Sequence, residues 1–315
     1  MENNKQIPFY QKPKFKEGIF LVSLLIIPLI NFLVFWVYVN IDTIMMTFQR
    51  YNILTGQVEW YGIERYKSMF ESYILGKNGH IAEQNVFFNS FNAIGINIII
   101  FPIAITAAYA FYKKIQHEKY FRVCFYLPSL ISVVVLATMY RNMFHAEFGP
   151  IKLLCEKLFN YTPQWLGNES EVMWKLIYIF CIWCGLGSNV IMMSGAMLRI
   201  PADIGEYSQL EGVGFWREMV QIVVPLVMPT IGVFIINIFI SVFSFYMHPM
   251  MIAQVTGVDH KFYTVGWLIF DSTVVGSETS AMQGATLGML MTLFMLPIII
   301  GVRIVVKKCT PDIQF

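Results

Sequence analysis

Four polar side chains recur along one uncharged stretch of this 315-residue chain. Thr230, Asn237, Ser241 and Ser244 share one narrow helical face at about 100° per residue. Their neighbours Ile235, Ile236, Ile238, Phe239, Ile240 and Val242 are apolar. A carboxamide without a partner is costly in hydrocarbon, so Asn237 is expected to face a wet cavity or another helix. Such groups often do no more than hydrogen-bond one helix to the next. They are equally suited to hydrogen-bonding a polar solute that passes along the face, and both readings stand. Tyr246 and His248 lie just beyond the stripe, and Asn189, in the stretch Gly185-Leu186-Gly187-Ser188, is a further candidate for the same cavity.

Other chemistries lack the residues they need. Gly76-Lys77-Asn78 has neither the upstream glycine nor the hydroxyl residue of a phosphate-binding loop, so no P-loop of the chain's own is expected to hold ATP. Gly185-Leu186-Gly187 and Gly212-Val213-Gly214 both lack the third glycine of a dinucleotide fingerprint. His80, His117, His145, His248 and His260 are scattered, without metal-ligand spacing. Cys181-Ile182-Trp183-Cys184 has redox spacing but sits inside an apolar run, where packing by small residues is the better reading. No polar cluster of the kind a membrane enzyme needs is found, so neither catalysis nor a resident cofactor or metal is expected.

The elements that must position the stripe are membrane spans. Hydrophobic residues make up 57% of the chain and charged residues only 13%, against about 25% charged in soluble domains. No Asp, Glu, Lys or Arg occurs in Gly18 to Ile41, Gln84 to Tyr112, Val123 to Tyr140, Leu176 to Leu198, Met219 to Val258 or Thr279 to Val302. Each run reaches the roughly 18–20 residues that span a bilayer as helix, so six spans are expected. The third is interrupted by Pro128, Ser129 and Ser132, and the fifth is long enough to hold an outer stretch besides its span. The first run follows a basic tail but is too long for a signal sequence, and no small-x-small site follows it. Uncharged runs also exclude the intramembrane carboxylate or lysine of a proton relay. With the N-terminus inside, inner segments hold 13 of the 22 Lys and Arg, which places both termini in the cytoplasm. The second outer segment, with Phe148-Gly149-Pro150 and Tyr161-Thr162-Pro163, is expected to be turn-rich. Gly284 and Gly288 form a GxxxG match in the last span.

Between the fourth and fifth spans lies a polar segment, residues 199–217. Pro201 suits a helix start, Asp203 and Glu206 suit its positive end, and Gly212 suits a left-handed stop. Ile200, Ile204, Tyr207 and Leu210 are expected on one side of this short helix, with Gly205, Glu206 and Gln209 on the other. Taken alone, such a helix could dock a partner or lie on lipid.

This segment resembles the EAA loop of binding-protein-dependent ABC importer permeases, with the pattern EAA, three residues, G, nine residues, I, one residue, LP. Glu206, Gly212, Ile222 and Pro225 take the fixed places, while Tyr207-Ser208 replace the two alanines and Val224 the leucine. Three further stretches resemble the MalF/UgpA-like subunits of that family's sugar-importer branch: Tyr61-Gly62-Ile63-Glu64-Arg65-Tyr66, the Tyr120-Phe121-Arg122 to Phe125-Tyr126-Leu127-Pro128 segment, and Phe148-Gly149-Pro150-Ile151 followed by Trp165-Leu166-Gly167. Lys152 stands where asparagine is usual.

The resemblance implies an all-α polytopic bundle of about six transmembrane helices with a cytoplasmic coupling helix, the type I ABC importer permease fold. It implies one membrane domain over residues 1–315 (core roughly 84–306), with a cytoplasmic tail at 1–18 and a coupling loop at 199–217, in a bacterial plasma membrane. The implied partners are a second permease subunit, two cytoplasmic ABC ATPases that bind ATP and magnesium, an extracytoplasmic solute-binding protein and the lipid bilayer, with no nucleic acid. Glu206, Tyr207, Ser208, Glu211, Gly212 and Pro225 become the expected ATPase-coupling residues. Thr230, Asn237, Ser241, Ser244, Tyr246 and Asn189 become the expected solute path, with groups that match sugar hydroxyls. An importer of another solute, such as a glycerol phosphodiester, is the alternative within the family; a stand-alone secondary transporter is the alternative outside it.

Overall fold

A computed structural model of the chain describes residues 13–52, 55–75, 81–145, 147–160, 165–166, 172–254 and 261–310. Residues 1–12 of the tail, Gly76-Lys77-Asn78, His80, Tyr161-Thr162-Pro163, Gly167 and His260 lie outside the described residues. The chain divides into two units, Met1–Arg65 and Tyr66–Phe315.

In the first unit, helix α1 (Pro13–Asn31) passes through a π-helical segment, Phe32–Tyr38, into α2 (Val39–Thr47). Its stretch Phe20–Thr47 is long and apolar enough to cross a membrane. A hairpin then departs from the all-helical expectation. Strand β1 (Gln49–Asn52) pairs antiparallel with β2 (Gln57–Trp60), Gln49 opposite Trp60. Gly56 closes the turn at φ +66°, a conformation that favours glycine, and Phe48 stacks on Trp60.

Helix α3 (Glu64–Met69) leads into the second unit. There follow α4 (Ile81–Ser90), α5 (Asn92–Tyr112), α6 (Glu118–Leu130), α7 (Val133–Met143), α8 (Pro150–Phe159), α9 (Met173–Met197), α10 (Ala202–Leu210) and α11 (Phe215–Glu218). A π-helical segment, Met219–Val223, then leads to α12 (Val224–Leu226), α13 (Met228–Ser244), α14 (Met247–Ala253), α15 (Val265–Val274) and α16 (Glu278–Cys309). Four stretches are long and apolar enough to cross a bilayer unbroken: Phe20–Thr47, Asn85–Tyr112, Met173–Met197 and Ser280–Cys309. Two more are bent pairs, α6 with α7 at 102° and α11–α12 with α13 at 81°. Counting each pair as one crossing gives six.

Both bends have local causes. Ile131 is extended, at φ −93° and ψ 146°, just after Pro128 and before Ser132. In the other, Pro229 has no N–H for the carbonyl of Pro225, and the ladder breaks between them at Val227 (φ −95°, ψ 10°).

Glycines let the helices approach. A Cβ on Gly187 of α9 would stand 2.6 Å from both the Phe125 carbonyl and Ser129 Oγ of α6; one on Gly185 would meet Ile100 of α5. On α16, Gly284 and Gly288 face Ser272 and Ile269 of α15, so the GxxxG match seats a neighbour within the chain. The core is built around these contacts, with Ile96, Ile100 and Ala104 of α5, Phe180 and Val190 of α9, Phe234 of α13 and Met291 of α16 all buried. Cys181 and Cys184 are free thiols in the same core. In the segment expected to be turn-rich, residues 150–159 form α8, with Pro150 as its first residue and Asn160 ending it in the left-handed conformation.

Candidate functional site

The segment between α9 and α13 holds the expected short helix, with two differences, in the place of Pro201 and in how the helix is turned. Helix α10 begins after Pro201, which caps it from an extended conformation (ψ 137°) rather than occupying its first turn. At the other end the Gly212 N–H reaches the Gln209 carbonyl (3.1 Å) and the Val213 N–H the Ser208 carbonyl (3.1 Å). Gly212 itself has φ +67°. These are the two bonds of a Schellman stop, and the left-handed residue at its centre is the reason glycine suits this position.

The side of α10 turned to the bundle carries Ile204, half-buried, and Ser208, with Ile200 buried just before the helix, while Tyr207 and Leu210, expected on the same side as Ile200 and Ile204, are not there. Ser208 is 4% exposed, whereas Tyr207 is 69% and Leu210 83% exposed. A four-residue step keeps Ile200, Ile204 and Ser208 in one row, which turns Tyr207 and Leu210 outward beside the exposed Asp203, Glu206 and Glu211. Ser208 therefore seats the helix, and its hydroxyl has no partner among the described residues. The outward face combines carboxylates with an aromatic and an aliphatic side chain. Pro225 stands apart from this face, at the bend before α13.

A contact that the sequence did not reveal ties this loop to a span. Glu218, at the end of α11, is 3% exposed, and its carboxylate meets Lys113 Nζ at the end of α5, 2.7 Å away. Beside them the Tyr109 ring packs on Phe215 at 4.6 Å, and Tyr112 Oη lies where a Cβ on Gly205 would come within 3.6 Å. The signal in the sequence was that Lys113 and Glu218 each border a charge-free run.

The stripe on α13 divides in two. Ser241 accepts a 3.1 Å hydrogen bond from Asn97 Nδ2 of α5, and Asn97 also donates to its own Ala93 carbonyl. Ser241 Oγ in turn donates to the Ile238 carbonyl. Ser241 thus joins two helices, with a partner in α5 that the sequence did not single out. Asn237 is exposed and has no hydrogen-bonding partner among the described residues. Ser244 is also exposed, its hydroxyl directed back to the Ser241 carbonyl. Thr230 is half-buried at the N-terminal end of the row. Tyr246 lies off the open face, stacked 5.5 Å from Phe270 of α15. Asn189 is half-buried on α9 and donates to its own Gly185 carbonyl. Asn237 and Ser244 are therefore the members of the set that α13 leaves open.

A family model described as "Binding-protein-dependent transport system inner membrane component" matches residues 100–314, which hold both the α10 loop and the α13 stripe. Among curated proteins, the arabinooligosaccharides transport system permease protein AraP of Bacillus subtilis (strain 168) is 24% identical over 212 residues, 66% of this chain and 64% of that protein. The maltose/maltodextrin transport system permease protein MalF of Shigella flexneri is 24% identical over 136 residues, 43% of this chain and 26% of its own length. The chain thus spans less than two thirds of the length of either. Among solved structures, a bacterial alginate ABC transporter in complex with an alginate pentasaccharide-bound periplasmic protein contains a similar chain. The TM-score is 0.78 at 17% identity, over 96% of this chain and 98% of that one.

Proposed function

Because the chain belongs to the family of binding-protein-dependent transport system inner membrane components, we propose that it is one permease subunit of an ABC importer for sugars or oligosaccharides. Its fold is that of the type I ABC importer permeases, an all-α membrane bundle. The observation that carries the reading is α10, a short helix that ends in a Schellman stop and turns Glu206, Tyr207 and Leu210 away from the bundle. An apolar and acidic face of this kind suits a partner cleft better than solvent.

In this reading residues 1–315 are one membrane domain with its core at roughly 84–306, and residues 199–217 are its coupling loop. Two cytoplasmic ATPases bind ATP and magnesium, and one of them receives α10. A second permease subunit completes the pathway, and an extracytoplasmic binding protein delivers the solute. Closure of the ATPase pair moves α10, and α11 carries the movement toward the bend at Val227 where α13 begins. Glu206 and Glu211 supply polar contacts to the ATPase, Tyr207 the aromatic one, and Gly212 the sharp exit. Both chain termini lie in the cytoplasm.

The solute path runs along the open face of α13. Asn237 offers a neutral donor and acceptor, as Ser244 offers a hydroxyl, and neither is a charged group that would select an anion. The uncharged runs give a phosphodiester no cation to pair with. The permeases AraP and MalF, named for arabinooligosaccharides and maltodextrins, support an oligosaccharide. Radiolabelled arabino- and malto-oligosaccharides supplied to cells with and without the chain test the substrate class. ATP-dependent accumulation that disappears with the chain is expected, and equal accumulation in both strains would refute it.

A further inference from the structure

The exposed face of α10 explains docking but not how a pull on that helix reaches the spans. Among the described residues two ion pairs, Glu118–Arg122 and Lys152–Glu156, are four-residue steps within one helix. Lys113–Glu218 differs, joining the end of α5 to α11 at 2.7 Å. Glu218 is the residue before the π-helical segment Met219–Val223, which runs into the break at Val227. π-Helical turns and proline breaks are the places where a helix yields. Just ahead of them stands a carboxylate whose side chain is 4% exposed, against a lysine at 19%. The same junction packs Tyr109 on Phe215 and brings Tyr112 to Gly205 of α10.

We propose that Lys113 and Glu218 form the joint that makes α10, α11 and the inner end of α5 move together, so that displacement is taken up at the π-helical segment and the Val227 bend. Both are positioning residues, since neither touches ATP or solute. The proposal rests on residues 199–217 being the ATPase-docking loop. An ion pair with a buried carboxylate suits the task because it resists separation more than a surface pair does: the Glu218 charge left alone at this depth is strongly unfavourable. A merely apolar contact would let α11 slide past α5, and the bend would then absorb nothing.

The test uses the tagged chain in its own host, with Glu218→Gln, Lys113→Met and the exchange Lys113→Glu with Glu218→Lys. Three quantities are read: ATPase recovered with the tagged chain, ATP hydrolysis by the purified complex, and sugar uptake. The single variants are expected to keep the ATPase and its hydrolysis while uptake falls about tenfold, within the usual span of coupling between linked sites. The exchange, which keeps both charges, is expected to restore most of the uptake. If the wild-type chain recovers no ATPase, the docking reading fails and the joint with it. Where docking holds, wild-type uptake by Glu218→Gln would overturn the joint, as would an exchange variant that assembles but stays uncoupled. A set of variants that never reaches the membrane would make the pair a structural brace and also overturn the assignment.

Discussion

Asn237 and Ser241 belong to one sequence pattern, yet the fold gives them different work. Ser241 is claimed by Asn97 of α5 at 3.1 Å, so removing either partner is a stability change. We expect Asn97→Ala to destabilise the detergent-solubilised protein by about 0.5–1 kcal/mol, the usual worth of a hydrogen bond between membrane helices, readable as a lowered unfolding temperature. Asn237 has no such partner among the described residues. Asn237→Leu should therefore assemble with unchanged thermal stability and lose roughly two- to tenfold in uptake, the size of one neutral hydrogen bond to solute. Normal assembly with wild-type uptake would move the solute path elsewhere. The shared face of the four residues was legible from their spacing. Which of them is open was not, because that depends on where α5 lies, and α5 comes from another part of the chain.

At the scale of elements, a helix is useful for coupling only if it is stiff and its exit is fixed. Gly212 at φ +67° fixes the exit of α10. An alanine there is strained by about 1–2 kcal/mol, and proline cannot adopt the conformation at all. Gly212→Pro is expected to abolish uptake and to loosen the ATPase while the protein still inserts. Glu206→Lys should do the same by reversing the charge that the docking face presents to the ATPase; ATPase recovery from membranes checks both. The outline of α10 was legible, since Pro201 and Gly212 bracket it. Its rotation was not: Tyr207 and Leu210 look like core residues by type, but the row Ile200, Ile204 and Ser208 takes the buried side. The spans themselves were legible from their missing charges, and the interruption at Pro128–Ser132 now stands as one of the two bends, the other lying between Pro225 and Pro229. The hairpin β1–β2 was missed, because four-residue strands with mixed polarity carry no strong period. Lys113–Glu218 was missed for a different reason, since pairing across distant segments leaves no local trace.

Native cysteines can report orientation, because Cys155 lies half-buried on α8 and Cys309 is exposed at the end of α16. In single-cysteine variants a membrane-impermeant maleimide applied to spheroplasts should label Cys155 and spare Cys309; the reverse pattern would invert the topology. Assembly is the larger claim. In the proposed reading the chain, with four unbroken and two bent apolar crossings and an outward-turned α10, is a transporter only in company. The most direct test is to purify the affinity-tagged chain from membranes of its own host and identify what comes with it. The account predicts a second permease and an ABC ATPase, with the ATPase lost when Gly212→Pro is introduced. A wild-type chain that purifies without an ATPase, and that moves sugar when reconstituted alone, would contradict it.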